Sequence, residues 1–204
     1  KVALGMPGDA LEVLSHIEHK SPRSQLALAR AYSANGDITL ASETAAGIIG
    51  STDTSSELLG LADILGSAGA HEDASLALEK AIPISKSPAN LLVLQSQHLL
   101  ASGRIQDARQ TAFEAVALET QSAQHRIVLA EALTHKDTVI PPNYAEALVH
   151  WEKALKLKPN DSYIQLQFAR CALESGNPEA TRNQCNNLLF TLFPFPKLLI
   201  KISK

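Results

Sequence analysis

Four glycines in matching contexts constrain the fold of this 204-residue chain more than any other feature. Gly36, Gly69 and Gly103 are 33 and 34 residues apart. Gly176 follows 73 residues later, a distance that fits one ordinary period plus one period with about five extra residues. A recurrence of this length is typical of structural repeats, in which each repeat forms one supersecondary unit. We therefore expect an array of similar units rather than a closed globule.

Apolar residues on both sides of each glycine keep the spacing of amphipathic helices. Leu26 and Ala29 precede Gly36, and Ile38 and Ala41 follow it. A glycine between two such helices can end the first helix in the left-handed conformation, so that the chain reverses at once. Each period is therefore predicted to be a helix, a tight turn and an antiparallel second helix.

Small residues recur at two fixed distances from the glycines. They are Ala29, Ala62, Ser96 and Ala169 seven positions before a glycine, and Ala41, Ala74 and Ala108 five positions after one. Two antiparallel helices approach to about 8 Å only where the side chains at the crossing are small. The pattern predicts an all-α fold of closely packed helix pairs.

This pattern resembles the tetratricopeptide repeat, whose period is about 34 residues. The likeness is strongest late in the fourth period, at Tyr144–Leu148 and Trp151–Asn160, where Pro159 stands at the place of the family's closing proline. The resemblance covers nearly the whole chain. It implies an α-solenoid of antiparallel helix pairs that stack into a right-handed superhelix.

We predict a repeat domain at 1–193, followed by a cap or linker at 194–204. The predicted units are 1–20 (a second helix only), 22–54, 55–88, 89–122, 123–160 and 162–193. The chain departs from the family pattern at several places. Pro83 interrupts a second helix near its end, Gln95 takes an apolar position, and Thr134–Asn143 replaces a glycine turn with an extended loop. The last unit is weak after Gly176, because Thr181 takes the alanine position.

The resemblance implies that the first helix of each pair lines a concave groove that binds a peptide or a partner helix. Offsets from the turn glycines place ten residues on that inner face: Arg23, Arg30, Asp63, Asn90, Gln97, Gln124, Glu131, Tyr163, Gln167 and Arg170. One subclass of the family clamps a C-terminal carboxylate with Lys, Asn and Arg. The matching positions here are Leu26, Arg30, Gly60, Asn90 and Leu94, so that clamp is missing. The alternative interpretation is that these side chains form ordinary solvated helix faces.

The residues that carry chemistry in enzymes are not arranged here in a catalytic pattern. The sequence has no phosphate-binding glycine loop with a lysine, no HExxH and no serine elbow. His16 and His19 have the spacing of metal ligands on a helix, but two exposed histidines are the favoured interpretation. Cys171 and Cys185 are predicted to be small packing residues. We therefore predict neither an enzyme nor a metal or cofactor site.

Charge and hydropathy exclude two further classes of function. The formal net charge of −3 argues against a nucleic-acid binder with a broad basic surface. The longest apolar stretch, Leu188–Ile200, contains Pro194, Pro196 and Lys197 and is too short to span a bilayer, which takes about 20 residues. Two cysteines favour a cytoplasmic location, with the periplasm as the alternative.

The apolar character of the C-terminal segment bears on the function of the chain. Phe190, Phe193 and Phe195 stand close together there, whereas a terminal repeat normally has a polar outer face. The segment could cover the last helix pair, mediate self-association, or lead into a further domain. The first hypothesis is a non-catalytic scaffold that binds a protein or peptide partner. The alternatives are a repeat arm of a larger, bacterial-type enzyme or polysaccharide-export machine, and a self-association module.

Overall fold

The computed structural model describes residues 6–17, 21–176, 179 and 182, and in these residues it is built from α-helices without strands. The helices are α1 Pro7–Ser15, α2 Pro22–Asn35, α3 Ile38–Ile48, α4 Ser55–Ser67, α5 His71–Ala81, α6 Pro88–Ala101, α7 Ile105–Leu118, α8 Ala123–Thr134, α9 Tyr144–Leu157 and α10 Ser162–Glu174. Single 3-10 turns follow α3 at Ile49–Ser51 and α5 at Ile82–Ile84. The prediction of an all-α fold is confirmed.

The chain divides into two compact units, Lys1–Thr111 and Ala112–Lys204, with the boundary inside α7. In the first unit, α2 packs against α3, α4 against α5, and α4 also contacts α2 and α3. In the second unit, α9 packs against both α8 and α10. Consecutive helices are thus packed neighbours in each unit, as short connections between antiparallel helices require.

The turn glycines have the predicted conformation. Gly36, Gly69, Gly103 and Gly176 have φ angles of 91°, 79°, 81° and 76°, a region that residues with a β-carbon adopt only with strain. After Gly36, the amide of Asp37 donates to the carbonyl of Tyr32 at 2.9 Å. This bond satisfies a carbonyl at the end of α2 that has no partner within the helix.

The small residues also lie where the spacing places them. Ala29, Ala41 and Ala74 are fully or almost fully buried in the core of the first unit. Ser96 is fully buried as well, and its hydroxyl donates to the carbonyl of Ala108 on α7 at 2.8 Å. The serine therefore keeps the close helix approach and satisfies its own polar group across the interface.

Two of the predicted departures from a regular repeat, at Pro83 and in the loop after α8, are confirmed. Helix α5 ends at Ala81 and passes into the 3-10 turn that contains Pro83. The connection between α8 and α9 is an irregular loop that closes where the amide of Asn143 donates to the carbonyl of Leu133 at 2.8 Å. The Asn143 side chain caps α9, because it accepts from the amide of Glu146 and donates to its carboxylate.

Several predicted features lie outside the described residues. They are His19, Thr181, Cys185, the phenylalanines Phe190, Phe193 and Phe195, and the segment 194–204. Self-association through that segment stays a prediction, and so do the exact limits of the repeat units.

Candidate functional site

The ten residues predicted for the inner face all lie on alternate helices. Arg23 and Arg30 are on α2, Asp63 on α4, Asn90 and Gln97 on α6, Gln124 and Glu131 on α8, and Tyr163, Gln167 and Arg170 on α10. Eight of them are exposed, whereas Glu131 and Gln167 are half-buried. Exposed polar side chains on one set of helices can contact a ligand without disturbing the core.

A cleft of about 990 Å³ lies in the first unit between α1, α2 and the start of α4. Its lining residues are Ala10, Val13, Leu14, Arg23, Leu26, Ala27, Arg30, Thr54, Ser56 and Glu57. The aliphatic residues come from α1 and α2. The arginines face them from α2, and the hydroxyl groups and Glu57 come from the start of α4. The cleft thus combines an apolar wall with charged groups.

The Arg30 side chain lies directly against the backbone of α4 at Gly60. A β-carbon built on Gly60 would be 2.5 Å from Nη2 of Arg30 and 3.7 Å from a methyl carbon of Leu26. The first distance is too short for any side chain at residue 60 while the guanidinium stays in place. The absence of a side chain at Gly60 therefore lets the end of the arginine side chain lie close to the neighbouring helix.

A second, more polar cavity of about 360 Å³ lies in the second unit. It is lined by Glu131, Thr134, His135, Lys136, Tyr144, Trp151, Tyr163, Gln167, Arg170 and Cys171. Four of the ten predicted residues, from α8 and α10, come together here. The sequence analysis missed His135 and Lys136, which the irregular loop after α8 contributes, although the loop itself was identified.

Glu131 and Tyr163 form the polar centre of this cavity. The Tyr163 hydroxyl donates to Oε1 of Glu131 at 2.5 Å. Burial raises the pKa of Glu131, while the bond from Tyr163 opposes that shift. Burial and the adjacent carboxylate raise the pKa of Tyr163 to about 12. At neutral pH the tyrosine therefore keeps its proton and remains the donor of this hydrogen bond.

Two buried side chains, Trp151 and Cys171, also line the same cavity. The buried Trp151 ring meets Tyr163 edge-on, with ring centroids 6.2 Å apart. The Cys171 thiol donates to the carbonyl of Tyr144 at 3.2 Å. Burial raises the pKa of this thiol to about 11, so it stays protonated and is a poor nucleophile. The prediction that Cys171 is a small buried packing residue is confirmed.

A pair of histidines that the sequence analysis did not identify joins α5 and α6. The Nδ1 atoms of His71 and His98 are 3.1 Å apart, and their rings stack with centroids 5.4 Å apart. Burial and then the charge of His71 lower the pKa of His98, while Asp63 raises it. In the described part of the chain no group of three or more His, Cys, Asp or Glu residues could hold a metal ion. Nor is any helix there long and apolar enough to cross a membrane.

Comparison with known proteins gives matches only among solved structures: no family model and no curated protein matches the chain. The C-terminal part of a TPR repeat-containing protein from Cytophaga hutchinsonii superposes with a TM-score of 0.72 at 17% identity, covering 94% of this chain and 76% of that one. YrrB, described as a TPR protein with an unusual peptide-binding site, has a TM-score of 0.63 at 13% identity over 94% and 96%. MamA has a TM-score of 0.63 at 16% identity over 81% and 94%. This chain has the tetratricopeptide-repeat fold.

Within the tetratricopeptide-repeat fold, α2, α4, α6, α8 and α10 are the first helices of successive pairs. The ten predicted residues lie on these five helices, and their place in a common binding groove stays a prediction. The structure brings Arg23 and Arg30 together in one cleft and four others in the second cavity. Neither of these two cavities is lined by the remaining four predicted residues, which are Asp63, Asn90, Gln97 and Gln124.

Proposed function

We propose that this chain is a non-catalytic scaffold that binds an extended peptide segment of a partner protein on its first helices. The observation that carries the proposal is the cavity of the second unit. Glu131, Tyr163, Gln167 and Arg170 are predicted for the inner face only from their positions in the repeat, yet they line one cavity. Together they offer a carboxylate, a hydroxyl group, an amide and a guanidinium to a ligand.

The chemistry of that cavity fits a peptide better than a small apolar ligand. A peptide backbone presents alternating donors and acceptors, which Gln167, Arg170 and the ring hydroxyl of Tyr163 can pair with. The indole of Trp151 and the ring of Tyr163 add apolar surface beside these polar groups. YrrB, with the same fold, is described as having a peptide-binding site, which supports peptide recognition as a use of this architecture.

We further propose that the site works by binding alone. A nucleophile needs a depressed pKa or an adjacent base, whereas burial raises the pKa of both Cys171 and Tyr163. The Glu131 carboxylate is already bonded to Tyr163. These groups are suited to holding a ligand in place.

Selection of random peptides displayed on phage, using the whole chain as bait, tests this function. We expect enriched peptides whose affinity falls at least about tenfold with Arg30→Glu or Arg170→Glu. Both arginines are exposed, so the free energy of unfolding should stay within about 0.5 kcal/mol of wild type.

The matched controls carry the same change of charge elsewhere on the surface. Lys86 follows the 3-10 turn after α5. Lys153 lies on α9, which carries none of the ten predicted residues. Both lysines are exposed. Lys86→Glu and Lys153→Glu should leave peptide affinity unchanged. Failure to enrich any peptide, or equal losses in the arginine and lysine variants, would contradict the proposal.

A further inference from the structure

We propose that the cleft of the first unit binds an acidic segment of the partner, in which an Asp or Glu side chain stands next to a large apolar one. This inference rests on the proposed function and specifies the chemistry of the ligand at one place. Three features of the cleft support it: its apolar wall, the charge of its arginines, and the space that Gly60 leaves for Arg30 beside α4.

The apolar wall can accept one large side chain. Val13 and Leu14 of α1 face the cleft opposite Leu26 and Ala27 of α2. Val13 is 54% exposed, so it has apolar surface left for a ligand to cover. Pockets that bind ligands are commonly roughly 300–1,000 Å³ in volume. A cleft of about 990 Å³ therefore has room for a few residues of an extended chain.

The charges of the cleft select an anion. Among the described residues, two guanidinium groups, of Arg23 and Arg30, line it with one carboxylate, that of Glu57. Neither arginine forms a hydrogen bond or an ion pair with any other described residue. The net charge of the whole chain is −3, so this excess of positive charge is opposite in sign to the protein as a whole. An arginine binds a carboxylate with two parallel hydrogen bonds, whereas a basic peptide would be repelled.

Gly60 leaves room for one of these guanidinium groups close to α4. The position of Arg30 depends on the missing side chain at Gly60, because a β-carbon there would be 2.5 Å from Nη2. A guanidinium supported in this way loses less conformational freedom when a carboxylate binds. Gly60 is therefore a positioning residue for Arg30.

The same phage library tests the inference when the random segment is carried as an internal insert, so that no peptide has a free C-terminus. We expect enriched peptides with an Asp or Glu adjacent to Leu, Ile, Phe or Met. Their synthetic forms, with both termini blocked, should bind at least about tenfold more weakly to Arg23→Glu and Arg30→Glu. Replacing their acidic residue with Lys should restore part of the affinity for Arg30→Glu.

Gly60→Ala provides a readout that a general loss of structure could not produce. The substitution favours the helix, since alanine is a better helix former than glycine, and it displaces only the far end of a flexible side chain. We expect the thermal midpoint to be unchanged or higher, while affinity for the acidic peptides falls several-fold. Gly47→Ala is the matched control: Gly47 lies in α3, and a β-carbon there meets no atom within 4 Å. It should raise the midpoint and leave affinity unchanged.

The possible failures can be distinguished. Enriched peptides without an acidic residue, whose binding depends on Arg170 and not on Arg30, would overturn this inference and support the proposed function. Failure to enrich any peptide would overturn both. Light scattering tests whether a second copy of the chain occupies the cleft. A dimer that Arg30→Glu dissociates would also overturn the assignment to an acidic peptide.

Discussion

Acidification should destabilise the second unit through one buried histidine, His150 on α9. The residue is only 8% exposed, and its Nδ1 has no hydrogen-bond partner among the residues that the structure describes. The ring packs edge-on against Phe113, with centroids 6.0 Å apart. Burial lowers the pKa of His150 to about 4, with further contributions from the positive charges of Arg126 and Lys153. The folded protein therefore holds this imidazole neutral at a pH where an unfolded chain would protonate it.

The direction and size of the effect follow from proton linkage. The ordinary pKa of a histidine is 6.5, so between that value and about 4 the unfolded state binds more protons than the folded state. Stability is therefore lost as the pH falls through this window. At pH 5 the difference in pKa corresponds to about 2 kcal/mol. Partial access of solvent to the ring reduces the expected loss to about 1 kcal/mol.

Urea unfolding followed by tryptophan fluorescence can measure this loss. Trp151 is the one tryptophan of the sequence, is buried, and lies beside His150 in the second unit. Wild type should lose about 1 kcal/mol more than His150→Leu when the pH falls from about 7 to about 5. His135 lies exposed in the loop after α8, so His135→Leu should behave as wild type does. Equal losses in wild type and His150→Leu would refute the reasoning.

Two further predictions concern a turn and the polar centre of the second cavity. Gly36→Ala should destabilise the first unit by about 1 kcal/mol in thermal unfolding, because the φ angle of 91° at residue 36 strains any residue with a β-carbon. A change in stability equal to that of Gly47→Ala would contradict this prediction. Tyr163→Phe removes the hydroxyl that lowers the pKa of Glu131, so an NMR titration should show that pKa rising further. The free energy of unfolding of this variant should be about 1 kcal/mol below that of wild type at neutral pH. The difference should be smaller below the pKa of Glu131, where the carboxyl group is protonated. A difference that does not change with pH would indicate that Tyr163 acts through packing alone.

The sequence predicted the fold well because each period repeats the same local requirements. Backbone geometry requires a glycine where the turn adopts positive φ, and side-chain volume requires small residues such as Ala29 and Ala41 where two helices cross. These requirements can be recognised from spacing. The second cavity was predicted only in part, because His135 and Lys136 belong to an irregular loop whose path no periodic pattern determines. The pair of His71 and His98, 27 residues apart, depends on how neighbouring helices are rotated.

Two glycines inside α4 have a different role from the glycines at the turns. In α4, Gly60 lies beneath Arg30 of α2, and Gly66 lies so close to His98 of α6 that a β-carbon would be 2.4 Å from Cε1. Each glycine costs an α-helix about 1 kcal/mol relative to alanine. In α4, Gly60 makes room for a polar side chain of α2, and Gly66 makes room for a polar side chain of α6. Gly60 and Gly66 thus each mark a place where a neighbouring helix lays a charged or titratable group close to α4, whereas Gly47 of α3, where a β-carbon would meet no atom within 4 Å, marks none. The position of a glycine between the turns therefore does not by itself reveal such a contact, because the contact depends on how the neighbouring helices are rotated.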